Sequence, residues 1–174
     1  MDTTIVGIVG VLIGILLTNA LTMVLEWRRR RERIRDVQTS LRAEIRSHWL
    51  RLPKDDLDAM TEEMVARIRE AREAGRDFTP FIPRQEEAIV FRSMVGEIHI
   101  LPNHVIDPVV LYYTHQNVLG NFVEDMRSER YARLEPERKI AIYRDYIAML
   151  RQLRELADEA IEAIAAAMES GEDQ

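Results

Sequence analysis

Residues 4–25 read TIVGIVGVLIGILLTNALTMVL and lead directly into Glu26, Trp27 and the run RRRR at 28–31. None of the 22 residues in this stretch is charged. About 20 consecutive apolar residues are needed to cross a bilayer as a helix, which satisfies its backbone hydrogen bonds internally. The apolar run is longer than the core of a signal peptide, and no basic residue precedes it. The stretch therefore predicts a retained transmembrane helix over residues 4–25.

A cluster of arginines sets the predicted orientation of this helix. Positively charged flanks stay on the cytoplasmic side of a membrane, so the N-terminus is expected in the periplasm and the C-terminal domain in the cytoplasm. Trp27 stands where an interfacial aromatic residue is common. The residues predicted to set topology and to contact lipid head groups are Trp27, Arg28, Arg29, Arg30, Arg31, Arg33 and Arg35.

The arginine bias also suggests a source. Of the 24 basic residues only Lys54 and Lys139 are lysine. This bias is typical of GC-rich coding and favours a bacterial protein, so the expected location is a bacterial inner (plasma) membrane, crossed once.

Small residues form a stripe along the predicted span. Such a stripe lets a second membrane helix approach closely, and hydroxyl groups can hydrogen-bond across the contact. The stripe comprises Gly10, Gly14, Thr18 and Thr22. Three possibilities stay open, namely self-association, a different membrane partner, and no specific partner.

Charge is divided unevenly along the chain. Residues 26–54 contain ten Lys/Arg against four Asp/Glu, a net charge of +6, whereas residues 55–174 contain 14 Lys/Arg against 25 Asp/Glu, a net charge of −11. Anionic lipid head groups attract the first part and repel the second. Nucleic acid is not an expected partner of so acidic a domain, and the absence of cysteine excludes disulfides.

Composition and spacing predict an all-α protein with a transmembrane helix, a basic juxtamembrane helix at 26–52, a cytosolic helical domain at 54–170 and a frayed tail at 171–174. Aromatic residues make up only 6% of the chain and charged residues 31%. Apolar residues recur every three or four positions, as on one face of a helix. The predicted helices run to Leu52, then from Leu57 to Ala74, Arg84 to Ile98, Asn103 to Met126, and from about Pro136 to Ser170.

The segment between the second and third of these helices contains Pro80 and Pro83 and is predicted to be extended. Phe78, Phe81 and Ile82 are expected to fill the core from this connector. The alternative is an exposed apolar strip for docking.

The last predicted helix is longer than a compact bundle of this size requires. At about 34 residues it would measure about 50 Å. Its apolar seam either spans its own bundle or pairs with the same helix of a second copy as a coiled coil. The seam includes Tyr143, Ile147, Leu150, Ala157, Ile161 and Ile164.

The order of these features resembles a loose group of small uncharacterised bacterial membrane-anchored proteins. The resemblance covers the arginine-rich region and residues 85–125, and it is carried by the pairs Val90-Phe91, Leu101-Pro102, Val109-Val110 and Tyr112-Tyr113. It implies a short helix that ends at a Leu-Pro turn, followed by a Val-Val-x-Tyr helix. It implies no activity.

Side chains that could bind a metal are concentrated in residues 97–115. Glu97, His99, His104, Asp107 and His115 could suggest a metal site, but no two histidines stand at i and i+4 on one predicted helix. Motifs for phosphate binding and for nucleophilic catalysis are also missing. We therefore expect no catalytic residue, cofactor, metal or small-molecule substrate.

The predicted function is that of a non-enzymatic membrane-tethered interaction protein: a scaffold, accessory subunit or regulator of a membrane complex, forming a homo-oligomer or part of a larger assembly. Two alternatives stay open. One is a phage-type or envelope protein such as a spanin, with its helical body outside the membrane. The other is a metal-dependent enzyme that uses the region from His99 to His115.

Overall fold

A computed structural model describes residues 2–53, 56–85 and 87–170, with side chains described from residue 14 onward. The regular structure in these ranges is helical throughout, so the all-α prediction is confirmed. The helices are α1 Asp2–Arg51, α2 Leu57–Glu73, α3 Ile89–Met94, α4 Asn103–Met126, α5 Glu129–Ala132 and α6 Pro136–Ser170, with a 3₁₀ helix at Val95–Ile100 between α3 and α4.

Helix α1 runs for 50 residues without interruption. No proline occurs within it, and it stops two residues before Pro53, whose ring is incompatible with the helix interior. The side chains of residues 14–33 are exposed, and a buried face begins at Ile34. The buried positions then follow at spacings of three and four, as predicted for the juxtamembrane helix: Ile34, Val37, Leu41 and Ile45.

The core lies between the second half of α1, α4 and α6. Tyr113 of α4 contacts Glu44, and Gln116 contacts His48 one turn further along α1, so these two helices run in parallel. Arg154 of α6 lies over the Trp49 ring, and Ala167 near the end of α6 belongs to the same buried core as Ile34 of α1.

Helix α2 packs on α6 through a small second cluster of Val65, Ile68 and Ile140. Its ends are as predicted. The Asp56 carboxylate accepts hydrogen bonds from the backbone N–H groups of Asp58 and Ala59, and Gly75 follows the helix with φ of +63°. The N–H of Gly75 donates to the Arg72 carbonyl and that of Arg76 to the Ala71 carbonyl, the pattern of a Schellman cap.

The region between α2 and α4 differs most from prediction. The third helix begins at Ile89 rather than Arg84, and its last turns are 3₁₀ rather than α-helical. Ile82 is buried, but Phe81 is 82% exposed, so the expectation that Phe81 fills the core was wrong. Asn103 does not cap α4, since Pro102 occupies the N-cap position without a side-chain bond. The start of α3 is held by hydrogen bonds from the Val90 and Phe91 N–H groups to the Glu44 carboxylate of α1.

Candidate functional site

Residues 15–25 of α1 present apolar side chains on every side. Residues 15, 16 and 17 are consecutive and each is more than half exposed, so no single face of the helix is protected. Between residues 15 and 25 the exposed large apolar residues are Ile15, Leu16, Leu17, Leu21, Met23, Val24 and Leu25. Polar side chains in this segment bond to their own helix: the Thr18 hydroxyl donates to the Gly14 carbonyl and the Thr22 hydroxyl to the Thr18 carbonyl, both at 2.9 Å.

Over the residues that the structure describes, no helix has both the length and the hydropathy that crossing a membrane requires. The described residues therefore do not support the transmembrane helix predicted at 4–25. The first ten residues of that stretch, with Gly10 among them, lie outside the residues whose side chains are described.

The arginines that follow form an exposed basic collar around α1, defined here as residues 26–35. The Arg31 guanidinium lies 5.3 Å from the centre of the Trp27 ring, within the range of a cation–π contact. A shallow surface depression beside them is lined by Trp27, Arg28, Arg31, Glu32 and Arg35. Its three guanidinium groups and one carboxylate leave a net positive charge, which suits an anionic group.

One collar residue is joined to the bundle. The Arg33 Nε donates to Glu97 Oε2 at 2.8 Å, connecting α1 to the 3₁₀ helix. This hydrogen bond lowers the pKa of Glu97 below its usual range. Because both side chains are substantially exposed, the pair contributes little to stability but orients the 3₁₀ helix against the collar.

The predicted seam of α6 packs within its own chain. Tyr143, Ile147, Leu150, Ala157 and Ile164 are buried, and Ile161 is half-buried against the same core. Of the two possibilities for this helix, the structure shows the intramolecular one: the seam is covered by α4 and α1. Five of these six side chains are therefore covered within the single chain, and Ile161 is partly accessible.

The histidines of residues 99–115 are dispersed. The His99 ring bonds the Gly96 carbonyl at 2.8 Å, and the His115 ring bonds the Met149 carbonyl on α6 at 2.9 Å. Glu97 pairs with Arg33 as described above. Nowhere among the described residues do three His, Cys, Asp or Glu side chains come together in a way that could hold a metal ion.

A half-buried carboxylate between α1, α3 and α4 was not anticipated from the sequence. Glu44 of α1 accepts hydrogen bonds from the backbone N–H groups of Val90 (2.7 Å) and Phe91 (3.0 Å) at the start of α3, and from the Tyr113 hydroxyl of α4 (2.7 Å). The Phe91 and Tyr113 rings stack with their centres 3.9 Å apart. One side chain thus joins three helices. The only sequence signal was an acidic residue within the apolar pattern of α1.

A second polar group lies one turn further along α1. The His48 Nδ1 is 3.2 Å from the Tyr112 hydroxyl and 3.0 Å from the Gln116 amide nitrogen. Burial lowers the pKa of His48 below its ordinary value, which favours the neutral ring at neutral pH.

His48, Tyr112 and Gln116 also line a cavity of about 380 Å³ between α1, α2, α4, α6 and the connector. Two further tyrosines of α6, Tyr143 and Tyr146, line it as well. Its volume is within the range of small-molecule sites. Sequence patterns marked Tyr143 as core but gave no sign of a cavity, because a cavity depends on how helices from different parts of the chain meet.

Comparison with known proteins gives no relative from which a function could be inferred: no protein-family model matches this sequence, and no significant match is found among curated proteins or solved structures.

Proposed function

We propose that this chain is a membrane-tethered interaction protein of a bacterial inner membrane. In this proposal residues 4–25 cross the bilayer, and the helical domain is held at the cytoplasmic face as a scaffold, accessory subunit or regulator. The observation that carries the proposal is the continuity of α1, which joins the apolar segment, the basic collar and the bundle core in one helix.

The apolar segment favours a lipid environment. The sequence contains 22 consecutive uncharged residues, and the described side chains between 15 and 25 include seven large apolar ones that are 47–70% exposed. Exposure of this kind on all sides of a helix is unfavourable in water, at roughly 25 cal/mol per Å² of apolar surface. In a bilayer the same apolar surface contacts lipid, and the hydroxyls of Thr18 and Thr22 are paired with carbonyls of their own helix.

The collar favours one orientation of the chain across the membrane and places the helical bundle close to the membrane surface. Residues 26–33 separate the apolar segment from the first buried residue, Ile34, which corresponds to about 12 Å of helix. Each arginine near an anionic membrane surface contributes about 1 kcal/mol. The domain beyond has a net charge of −11, so electrostatics favour the collar at the lipid and the bundle away from it.

Membrane fractionation of the full chain tests the anchor. The double substitution Ile15→Arg/Leu16→Arg places two charges at the middle of the predicted span, where each costs about 2.5–3.5 kcal/mol on insertion scales. We expect the wild-type chain to stay in the membrane pellet after alkaline carbonate extraction and the double variant to be released. Ile15→Leu/Leu16→Ile is the matched control and should behave as wild type. Release of the wild-type chain would refute the anchor.

A topology reporter fused after residue 174 distinguishes this proposal from the spanin-like alternative. A cytoplasmic signal is expected. Replacement of Arg28, Arg29, Arg30 and Arg31 by glutamine should yield a mixed population of orientations, since these charges are proposed to set topology. A periplasmic signal from the wild-type fusion would favour the envelope protein with its body outside.

Self-association through the small-residue stripe is the second part of the proposal. A Cβ atom added at Gly14 would meet nothing within 4 Å in the single chain, and Gly14 is exposed, so we expect Gly14→Leu to leave the fold of the monomer intact. The substitution would, however, prevent close approach of a second helix along Gly14, Thr18 and Thr22. We expect cross-linking in membranes to show a wild-type dimer that Gly14→Leu weakens, with Leu17→Ala as a control. Equal cross-linking of wild type and Gly14→Leu would rule out this contact.

A further inference from the structure

We propose that the cavity between α1, α2, α4, α6 and the connector binds a small monocarboxylate with an apolar body, such as a medium-chain fatty acid. This inference does not depend on the membrane anchor. Four features of the cavity carry it: two unpartnered hydroxyl groups, the charge of its lining, its apolar walls and its size.

The first feature is the pair of tyrosines on α6. Tyr143 and Tyr146 are only 3% and 7% exposed, and both line the cavity. Among the residues that the structure describes, neither hydroxyl has a hydrogen-bond partner. Each hydroxyl therefore reaches the accessible space of the cavity, where a ligand oxygen can accept its hydrogen bond. Burial raises the pKa of Tyr146 to about 12, which leaves its hydroxyl protonated and able to donate at neutral pH.

The second feature is the charge of the lining. Among the residues that the structure describes, the lining includes Arg51 and Arg84 but no aspartate or glutamate, although the domain as a whole is strongly acidic. Arg84 also pairs with Glu124 at 3.2 Å, and Arg51 has its own interaction within the chain, so a ligand would share these cations. Two carboxylates act on lining residues from outside the lining. Glu63 helps raise the pKa of Tyr143 and pairs with Arg67, and Glu44 helps raise the pKa of Tyr112 and accepts a hydrogen bond from the Tyr113 hydroxyl. The cavity therefore favours an anion over a cation.

The third feature is the apolar remainder of the walls. Aliphatic and methionine side chains from α1, α2, α6 and the connector form most of it: Leu52, Met60, Met64, Ile82, Leu150 and Leu153. Methionine adapts its shape readily to a flexible ligand. Phe81, which is 82% exposed, also borders the cavity. An apolar ligand would give this otherwise unprotected ring a surface to pack against.

The fourth feature is the size of the cavity. A volume of about 380 Å³ corresponds to roughly a dozen water-sized groups, at about 30 Å³ each. A carboxylate with a chain of eight to ten carbons has that many heavy atoms. A phospholipid with two long acyl chains would be too large, and acetate would leave most of the apolar wall uncovered.

Methionine methyl groups supply the readout. The full chain, labelled with ¹³C at the methionine methyl carbons and placed in lipid nanodiscs, is titrated with octanoate and observed by NMR. We expect saturable shifts of the Met60 and Met64 signals, while Met168, which does not line the cavity, is unchanged. Met23 lies in the apolar segment of α1 and reports partition into the bilayer. Shifts confined to Met23 would overturn the proposal.

Two ligands of matched length test the charge. Octylammonium has the same chain and the opposite charge, and should leave the Met60 and Met64 signals unshifted at concentrations where octanoate saturates. Octanol should bind at least about tenfold more weakly than octanoate. Equal binding of octylammonium or octanol would refute the selection of an anion.

Conservative variants test the two hydroxyls. Tyr143→Phe/Tyr146→Phe keeps both rings in place and removes both donors, and it should weaken octanoate binding by about tenfold. Tyr131→Phe is the matched control, because this buried tyrosine bonds the Lys139 carbonyl away from the cavity. Unchanged affinity of the double variant would contradict the assigned hydrogen bonds.

Discussion

Glu44 provides the most demanding test of how the bundle is held together. Its carboxylate accepts three hydrogen bonds, from Val90 and Phe91 of α3 and from Tyr113 of α4, at 2.7–3.0 Å. Helix α3 has only six residues and no cap from its own sequence. Short helices are marginal in isolation. We therefore expect Glu44→Ala to release α3 from α1 and to leave the Tyr113 hydroxyl without its acceptor.

The expected loss follows from these bonds. A hydrogen bond to a charged group contributes about 1.5–3 kcal/mol, and an N-cap about 1 kcal/mol. The three bonds share one half-buried carboxylate, whose own desolvation offsets part of the gain, so the contributions do not add in full. We estimate a loss of about 3 kcal/mol for Glu44→Ala. In a chain of this length that lowers the melting temperature by roughly 6–12 °C.

Two measurements check this estimate. Thermal unfolding followed by near-ultraviolet circular dichroism reports the tyrosines of the bundle, and amide hydrogen exchange at Val90 and Phe91 reports the cap directly. Glu62→Ala, an exposed position on α2, is the matched control and should melt within about 1 °C of wild type. If Glu44→Ala also melted within 1 °C of wild type, or if exchange at Val90 and Phe91 were unchanged, the role assigned to Glu44 would be wrong.

Two further predictions concern polar groups on the same helix. Because burial lowers the pKa of His48, the unfolded chain binds a proton at this residue more readily than the folded chain, and stability should fall as the pH drops below about 6.5. The melting temperature should therefore fall less between pH 7.5 and pH 5.5 in His48→Gln than in wild type. Equal falls in the two proteins would contradict this prediction. Gln38 is 1% exposed, and neither atom of its side-chain amide has a hydrogen-bond partner among the described residues. Methionine has a similar volume and no amide, so Gln38→Met should raise the melting temperature by about 2–6 °C. A decrease would show that the amide is hydrogen-bonded.

Much of the helical framework was predictable because its signals are local. Proline cannot continue a helix, so Pro53 ends α1; an aspartate caps a free N-terminus, so Asp56 begins α2; and glycine adopts positive φ easily, so Gly75 follows α2. Each effect acts within about four residues. The spacing of apolar residues likewise indicated the buried face of α1.

The errors occurred where a distant residue decides the local structure. Helix α3 starts late because Glu44, more than forty residues earlier, supplies its cap at Val90 and Phe91. Phe81 is as apolar as Ile82, but the extended connector places neighbouring side chains on opposite sides, and only Ile82 faces the core. Periodicity contains no information about either contact.

The sequence by itself determined that this chain is helical, where most of its helices begin and end, and that an uncharged segment precedes a basic collar and an acidic domain. These properties depend on residue type and short-range spacing. Only the tertiary structure decided that the seam of α6 packs within the chain and that Glu44 joins three helices. It also decided that Tyr143 and Tyr146 line a cavity and that their hydroxyl groups have no hydrogen-bond partner among the described residues. These features depend on which helices pack together and on how far each is shifted along its neighbour. Both are set by the packing of the whole bundle.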